Sequence, residues 1–254
     1  MSESKPESNS PDPEIVYEGK DFLALIKPAG LQVHRARISA SAEKRAARAK
    51  RKRRPMPEEE PTLVDWLVAR YPEIRAVGDD PVLRPGIVHR LDKATSGIMI
   101  VARTPKSFSY LKALFQKHEI KKIYIALVAG VPREERGIID APIGIRTGTL
   151  KRSVRSMKMA KEAVTEYKVV EIIERPGADR RPARYARLEV APRTGRTHQI
   201  RVHLSSIGHP VVGDRLYGPK RQPAWADRLM LHAFSLEFMT PSGRRLHLEA
   251  EAPF

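Results

Sequence analysis

No cysteine occurs among the 254 residues. That excludes disulfides, thiolate metal sites and cysteine nucleophiles, including the thiolate that some methyltransferases use against pyrimidines. No apolar run approaches the roughly 20 residues a membrane span requires. The opening MSESKPESNSPDPE has neither the apolar core of a signal peptide nor the basic character of a transit peptide. Residues 1–13 therefore read as a disordered tail, and a cytoplasmic protein without membrane attachment is expected. Acidic residues are in short supply: 30 against 47 Lys and Arg, for a net charge of +17. An excess this large points to a polyanionic partner, most simply nucleic acid.

Much of the charge is local. Residues 35–54, RARISASAEKRAARAKRKRR, hold ten Lys or Arg and one acid, Glu43. The segment has helix-forming residues but no apolar stripe to bury, and its like charges repel. It reads as a flexible basic insertion, bounded at 35–61, that is either passive or a phosphate-binding arm. The rest, residues 14–254, is expected to form one domain and a monomer.

Outside the insertion, short extended runs dominate. Ile15–Glu18 and Phe22–Ile26 flank Gly19-Lys20-Asp21 as a hairpin. Thr62 and Thr104-Pro105 cap two helices, and a third is expected over Thr197–Ser206. Strands are expected at 122–128 and near 163–173, 184–191, 232–239 and 245–251. Hairpin signals with a few inserted helices give an α+β fold rather than a regular βαβ series.

The most informative stretch is His89-Arg90-Leu91-Asp92-Lys93-Ala94-Thr95-Ser96-Gly97, between Ile87-Val88 and Ile98–Ala102. Asp92 is expected in a polar loop between two extended segments. Arg90 and Lys93 on either side favour its charged form, as a nucleophile or proton acceptor needs. An aspartate in a loop is more often a turn cap.

The stretch resembles the signature of the RluA family of pseudouridine synthases, in which H-R-L-D-x-x-T-S-G carries the catalytic aspartate. Three further segments agree. Lys27-Pro28-Ala29-Gly30 and Lys161–Tyr167 match the family, and Thr194-Gly195-Arg196-Thr197-His198-Gln199-Ile200-Arg201-Val202-His203-Leu204 resembles its late motif, continued by Gly208–Gly218. The resemblance implies that Arg201 pairs with Asp92, that Tyr124 of Lys122-Ile123-Tyr124 stacks on the target uracil, and that Arg90 enters the RNA stack where that base was. His89, Lys93, Thr95 and Arg196 complete the expected RNA-binding set. On a helix starting at Thr197, that residue and Arg201 would share a face.

The implied fold is a pseudouridine synthase catalytic domain with a mixed, mainly antiparallel sheet flanked by helices and loops. The implied activity is isomerisation of uridine to pseudouridine in ribosomal or transfer RNA. Asp92 would act either by attacking the sugar or by taking a sugar proton. No cofactor or metal is expected: His89, His198 and His203 lack accompanying ligands at metal-binding spacing and read as structural or hydrogen-bonding. Two features depart from larger relatives, the basic insertion and the lack of an N-terminal S4-type RNA-binding segment. The other reading is a non-catalytic RNA-binding or ribosome-assembly protein.

Overall fold

The computed structural model describes residues 12–35, 60–149, 151–155 and 157–254. The expected tail falls almost wholly outside the described residues, as does the basic insertion beyond Arg35 and before Glu60.

The expected first hairpin is β1 (Glu14–Glu18) and β2 (Phe22–Lys27), paired antiparallel. β2 continues antiparallel onto β3 (Ser96–Ala102), which is buried along its whole length. A continuous apolar strand of this kind must be covered on both faces. Alternation divides the labour. Phe22, Ala24, Ile98 and Ile100 face one helix, α2 (Pro105–Gln116), through Phe108, Leu111 and Leu114. Leu23, Leu25, Met99 and Val101 face the other, α1 (Leu63–Arg70), through Leu63 and Leu67.

Both helices start where their caps predict. Thr62 and Asp65 exchange side-chain and backbone hydrogen bonds at the start of α1, and Thr104 and Ser107 do so at α2. A single 3-10 turn, Pro72–Ala76, follows α1.

The remaining strands are β4 (Lys121–Ala129), β5 (Arg136–Asp140), β9 (Val164–Pro176), β10 (Pro182–Pro192), β11 (Leu231–Met239) and β12 (Arg245–Glu249), with β6 (Ile143–Arg146), β7 (Arg152–Ser153) and β8 (Met157–Lys161) between β5 and β9. Among the described residues, nine of the twelve strands form one sheet in the order β1-β2-β3-β11-β4-β10-β9-β5, with β12 on β11. Its strand pairs are antiparallel except β3 with β11, so the fold is α+β with a mixed, mainly antiparallel sheet.

Strand β11 is the seam. It takes β4 on one side, and on the other β3 at His232 and Ala233, then β12 from Ser235. β6, β7 and β8 make a separate three-stranded sheet. Helix α3 (Gln199–Ser206) packs Ile200 and Leu204 against β4 and β10. Among the described residues, no helix is long and apolar enough to cross a membrane.

Two expectations change. The run leading into the His89–Gly97 motif is not a strand: Ile87 makes one isolated bridge, to Val101. The third helix starts at Gln199, because His198 adopts the left-handed conformation, φ 57° and ψ 20°, and ends the helical ladder there. Thr197 therefore lies outside the helix and shares no helical face with Arg201.

Candidate active site

Asp92 is placed by its neighbours. Leu91 is buried beneath it in the cluster that holds Leu23 and Met99. His89 stacks on Phe115, ring centroids 4.4 Å apart, and its Nε2 accepts the Ile100 N–H at 2.9 Å. Burial and the nearby Lys122 push its pKa down to about 3, so it is neutral and structural at pH 7. Beyond Asp92 the loop closes as the Thr95 N–H donates to the Asp92 carbonyl.

The turn after β2 then pins the loop. The Gly30 N–H donates to the Lys93 carbonyl at 2.8 Å, from a residue at φ 89° that favours glycine. Lys27 reaches the same carbonyl from below at 3.2 Å and donates to Pro28 and Leu31 as well. Its ammonium is fully buried; burial first and Arg228 second lower its pKa to about 7, against the pull of Asp92. Gly97 finishes the motif against β11, where a Cβ would stand 2.3 Å from the Ala233 carbonyl oxygen. Only glycine allows that backbone approach.

The cation that meets Asp92 comes from elsewhere in the chain. Arg201 Nη1 donates to Asp92 Oδ2 at 3.3 Å, and the two residues are 109 positions apart. Arg201 is itself buried and bound more closely by Asp214, through Nε at 2.7 Å and Nη2 at 2.9 Å. Asp214 also accepts the N–H groups of Leu216 and Tyr217. Burial opposes its charge, but Arg201 and these N–H groups more than compensate, and its carboxyl lies below the usual range. The expectation that Arg90 and Lys93 flank the carboxylate is corrected: Lys93 pairs with Glu60 at 2.5 Å, and Arg90 Nη1 lies 3.5 Å from His34 Nε2. Neighbours in sequence diverge in space because Lys93 already lies in the turn closed by the Thr95 N–H, whereas Arg90 precedes it.

A cavity of about 700 Å³ opens over Asp92, within the range for small-ligand sites. Tyr124, on β4, lines the cavity with Asp92 and Arg201, and Arg90 and Arg196 sit on its wall. Burial, and secondarily the charge of Asp92, raise the Tyr124 phenol well above its ordinary value, so it stays neutral. Arg196 Nε donates to the Glu162 carbonyl, which fixes it beside the opening. Thr95 is buried in the wall, so an open phosphate contact for it is not supported. His203 bridges the Thr165 hydroxyl and the Ala141 carbonyl, the structural role expected for it.

Sequence reasoning passed over Asp214, Lys27 and the pair His198–Tyr217. For Asp214 there was a signal: it is the only Asp or Glu between Val190 and Ala226, a stretch rich in arginine. Among the described residues, no group of three or more His, Asp or Glu is arranged to hold a metal.

The chain is similar to known proteins over most of its length. The family model described as RNA pseudouridylate synthase matches residues 21–206. An uncharacterized RNA pseudouridine synthase of Chloroflexus aurantiacus is 42% identical over 193 residues, which cover 76% of this chain and 57% of that protein. Ribosomal large subunit pseudouridine synthase D of Pseudomonas aeruginosa is 37% identical over 253 residues, 94% of this chain and 68% of its own length. Human RNA Pseudouridylate Synthase Domain Containing 1 superimposes with a TM-score of 0.71 and 27% identity, over 99% of this chain and 87% of the human one. The chain thus spans between about three-fifths and two-thirds of the two bacterial relatives.

Proposed function

The chain belongs to the RNA pseudouridylate synthase family, and on that premise we propose that it isomerises particular uridines in folded RNA to pseudouridine, with Asp92 as the catalytic carboxylate. The observation that carries the reading is a carboxylate held by Arg201 at 3.3 Å and facing a cavity that also holds Tyr124.

The reaction breaks the C1′–N1 bond, turns the uracil in place and joins C1′ to C5. C5 gives up a proton and N1 gains one, so nothing is added or removed and no cofactor is invoked. The target uridine leaves its stack to enter the cavity, at a cost of a few kcal/mol offset by contacts within it. Tyr124 offers an aromatic face there, worth about 1–3 kcal/mol per stacked base. Asp92 drives cleavage by attack on the sugar or by removing a sugar proton; the same held carboxylate serves either route. Arg201 orients it. Arg90, exposed on the cavity wall, would fill the gap left by the flipped base. Arg196, on the cavity wall, and Lys93, in the loop after Asp92, would serve as cations for the RNA backbone.

The name of the Pseudomonas relative favours ribosomal RNA over transfer RNA as the substrate. Residues 14–254 acting as a single monomeric domain in the cytoplasm is the simplest setting for that work.

The test is tritium release from RNA containing 5-tritiated uridine. Wild type should release tritium, in excess chelator as well as without it. Asp92→Asn should release none while binding RNA within a few-fold of wild type. Turnover by the variant would remove Asp92 from its role. Inert wild type on RNA from cells lacking the protein would favour the non-catalytic reading.

A further inference from the structure

His198 carries a side chain at a positive φ, 57°, a conformation that costs a residue with a Cβ and that collects at functional sites. Its ring is held at one nitrogen and presented at the other. Nδ1 lies 2.7 Å from the Tyr217 hydroxyl. That hydroxyl already accepts the Arg152 N–H, from β7, at 3.1 Å. The arrangement that uses the hydroxyl's own proton directs it to Nδ1, and it leaves the neutral imidazole's proton on Nε2, on the side where a carboxylate oxygen, Asp92 Oδ1, can accept it.

Nε2 faces Asp92 Oδ1 at 3.8 Å, while Arg201 holds the other oxygen, Oδ2. Such contacts are often long in an empty site and tighten with substrate. The groups around the ring are Asp92 from the motif loop, Arg201 from α3, Asp214 and Tyr217 from the loop after it, and Arg152 from β7. Burial dominates among them and keeps the ring neutral near pH 7; Arg201 and Arg152 act in the same direction, against Asp92 and Asp214.

We infer that His198 is a positioning residue for Asp92: held as the Nε2–H tautomer by the Tyr217 hydroxyl, it presents a donor to Oδ1 and fixes how the carboxylate is turned toward the sugar. The inference rests on the reading of Asp92 as the catalytic carboxylate.

A residue that merely packed the two loops together would need its ring, not its tautomer. Tyr217→Phe keeps the ring and removes the hydroxyl. It should lower kcat about tenfold with RNA affinity unchanged within twofold. Without the hydroxyl proton on Nδ1, protonation of His198 becomes easier, and an imidazolium paired with Asp92 would draw on the carboxylate's charge, so the acid limb of the kcat profile should move to higher pH. His198→Ala should lower kcat ten- to a hundredfold, and adding Tyr217→Phe to it should cost nothing more. His198→Gln, whose amide can supply a donor at the Nε2 position, should recover part of the loss. Melting curves identify any variant that fails to fold, and the others then decide. Wild-type kcat and an unchanged pH profile in both Tyr217→Phe and His198→Ala, with Asp92→Asn inactive, would overturn the inference alone. An active Asp92→Asn would overturn the reading beneath it.

Discussion

Asp214 accepts two hydrogen bonds from Arg201, at 2.7 and 2.9 Å, and so decides which guanidinium nitrogen is left for Asp92. A planar fork can be oriented by one carboxylate and still present an edge to another, which a lysine at position 201 could not do. Arg201 is held more closely by Asp214 than by Asp92, at 2.7 and 2.9 Å against 3.3 Å. Arg201 is thus part of the framework as well as part of the site.

Asp214→Asn should therefore act on stability before it acts on turnover. Removing one partner of a buried ion pair costs about 3–5 kcal/mol, because the other charge is left buried. At about 2–4 °C per kcal/mol for a chain of this size, calorimetry should show Tm lowered by roughly 6–20 °C. The double variant Asp214→Leu/Arg201→Met should melt higher than Asp214→Asn, since it buries no lone charge. A double variant melting lower would contradict the argument.

Acid should weaken the fold through His232. Its ring is buried between the Ser96 hydroxyl at Nδ1 and the Ala250 carbonyl at Nε2. Burial, with a smaller push from Arg228 and against the Ala250 hydrogen bond, lowers its pKa to about 4. A free histidine titrates near 6.5, so between about pH 6.5 and 4 the unfolded chain takes a proton that the folded one refuses. Stability is then lost as pH falls through that window, at about 1.4 kcal/mol per pH unit for this one group. Urea unfolding of wild type and His232→Asn from pH 7 to 4.5 should show the variant's slope shallower by about that amount. Equal slopes would mean the ring is not held neutral.

The basic insertion can be tested through salt. Arg35 pairs with Asp65 on α1 at 2.7 Å, so the segment to remove is 36–54, with nine Lys or Arg and one Glu. If four of these cations met phosphates, the log–log salt dependence of RNA binding would be steeper by about 2.8, at roughly 0.7 per phosphate on single strands. The deletion should bind less tightly at low salt, with a flatter slope and unaltered turnover at saturating RNA. Identical slopes would mark the segment as passive.

Local signals made much of this molecule legible in its sequence. Thr62 and Thr104 marked two helices because a cap acts within one turn, and the first hairpin was written in two short, mainly apolar runs around Gly19-Lys20-Asp21. The motifs singled out Asp92, Tyr124 and Arg201, and the structure has all three lining one cavity. Strands β5 to β8 were not legible: they are short, and largely exposed except at Ile139, Ile143 and Gly144, so no hydrophobic pattern marks them. The start of α3 was missed because a left-handed histidine, unlike a glycine, leaves no trace in composition. Tyr217, nineteen residues later, is what holds it.

The place of β11 governs when the site can come into being. The loop carrying Asp92 runs into β3 and Tyr124 lies on β4, yet these strands meet only through residues 231–239. A chain emerging from the ribosome makes both about a hundred residues before β11 and must wait for that strand before they are bridged. The pairing is long-range, and such closures are slow because a large loop is ordered before any contact rewards it. Until then β3 and β4 each lack a neighbour, and the exposed edges invite mispairing. Bringing Asp92 and Tyr124 to one cavity thus waits on β11, however early the strands that carry them are made.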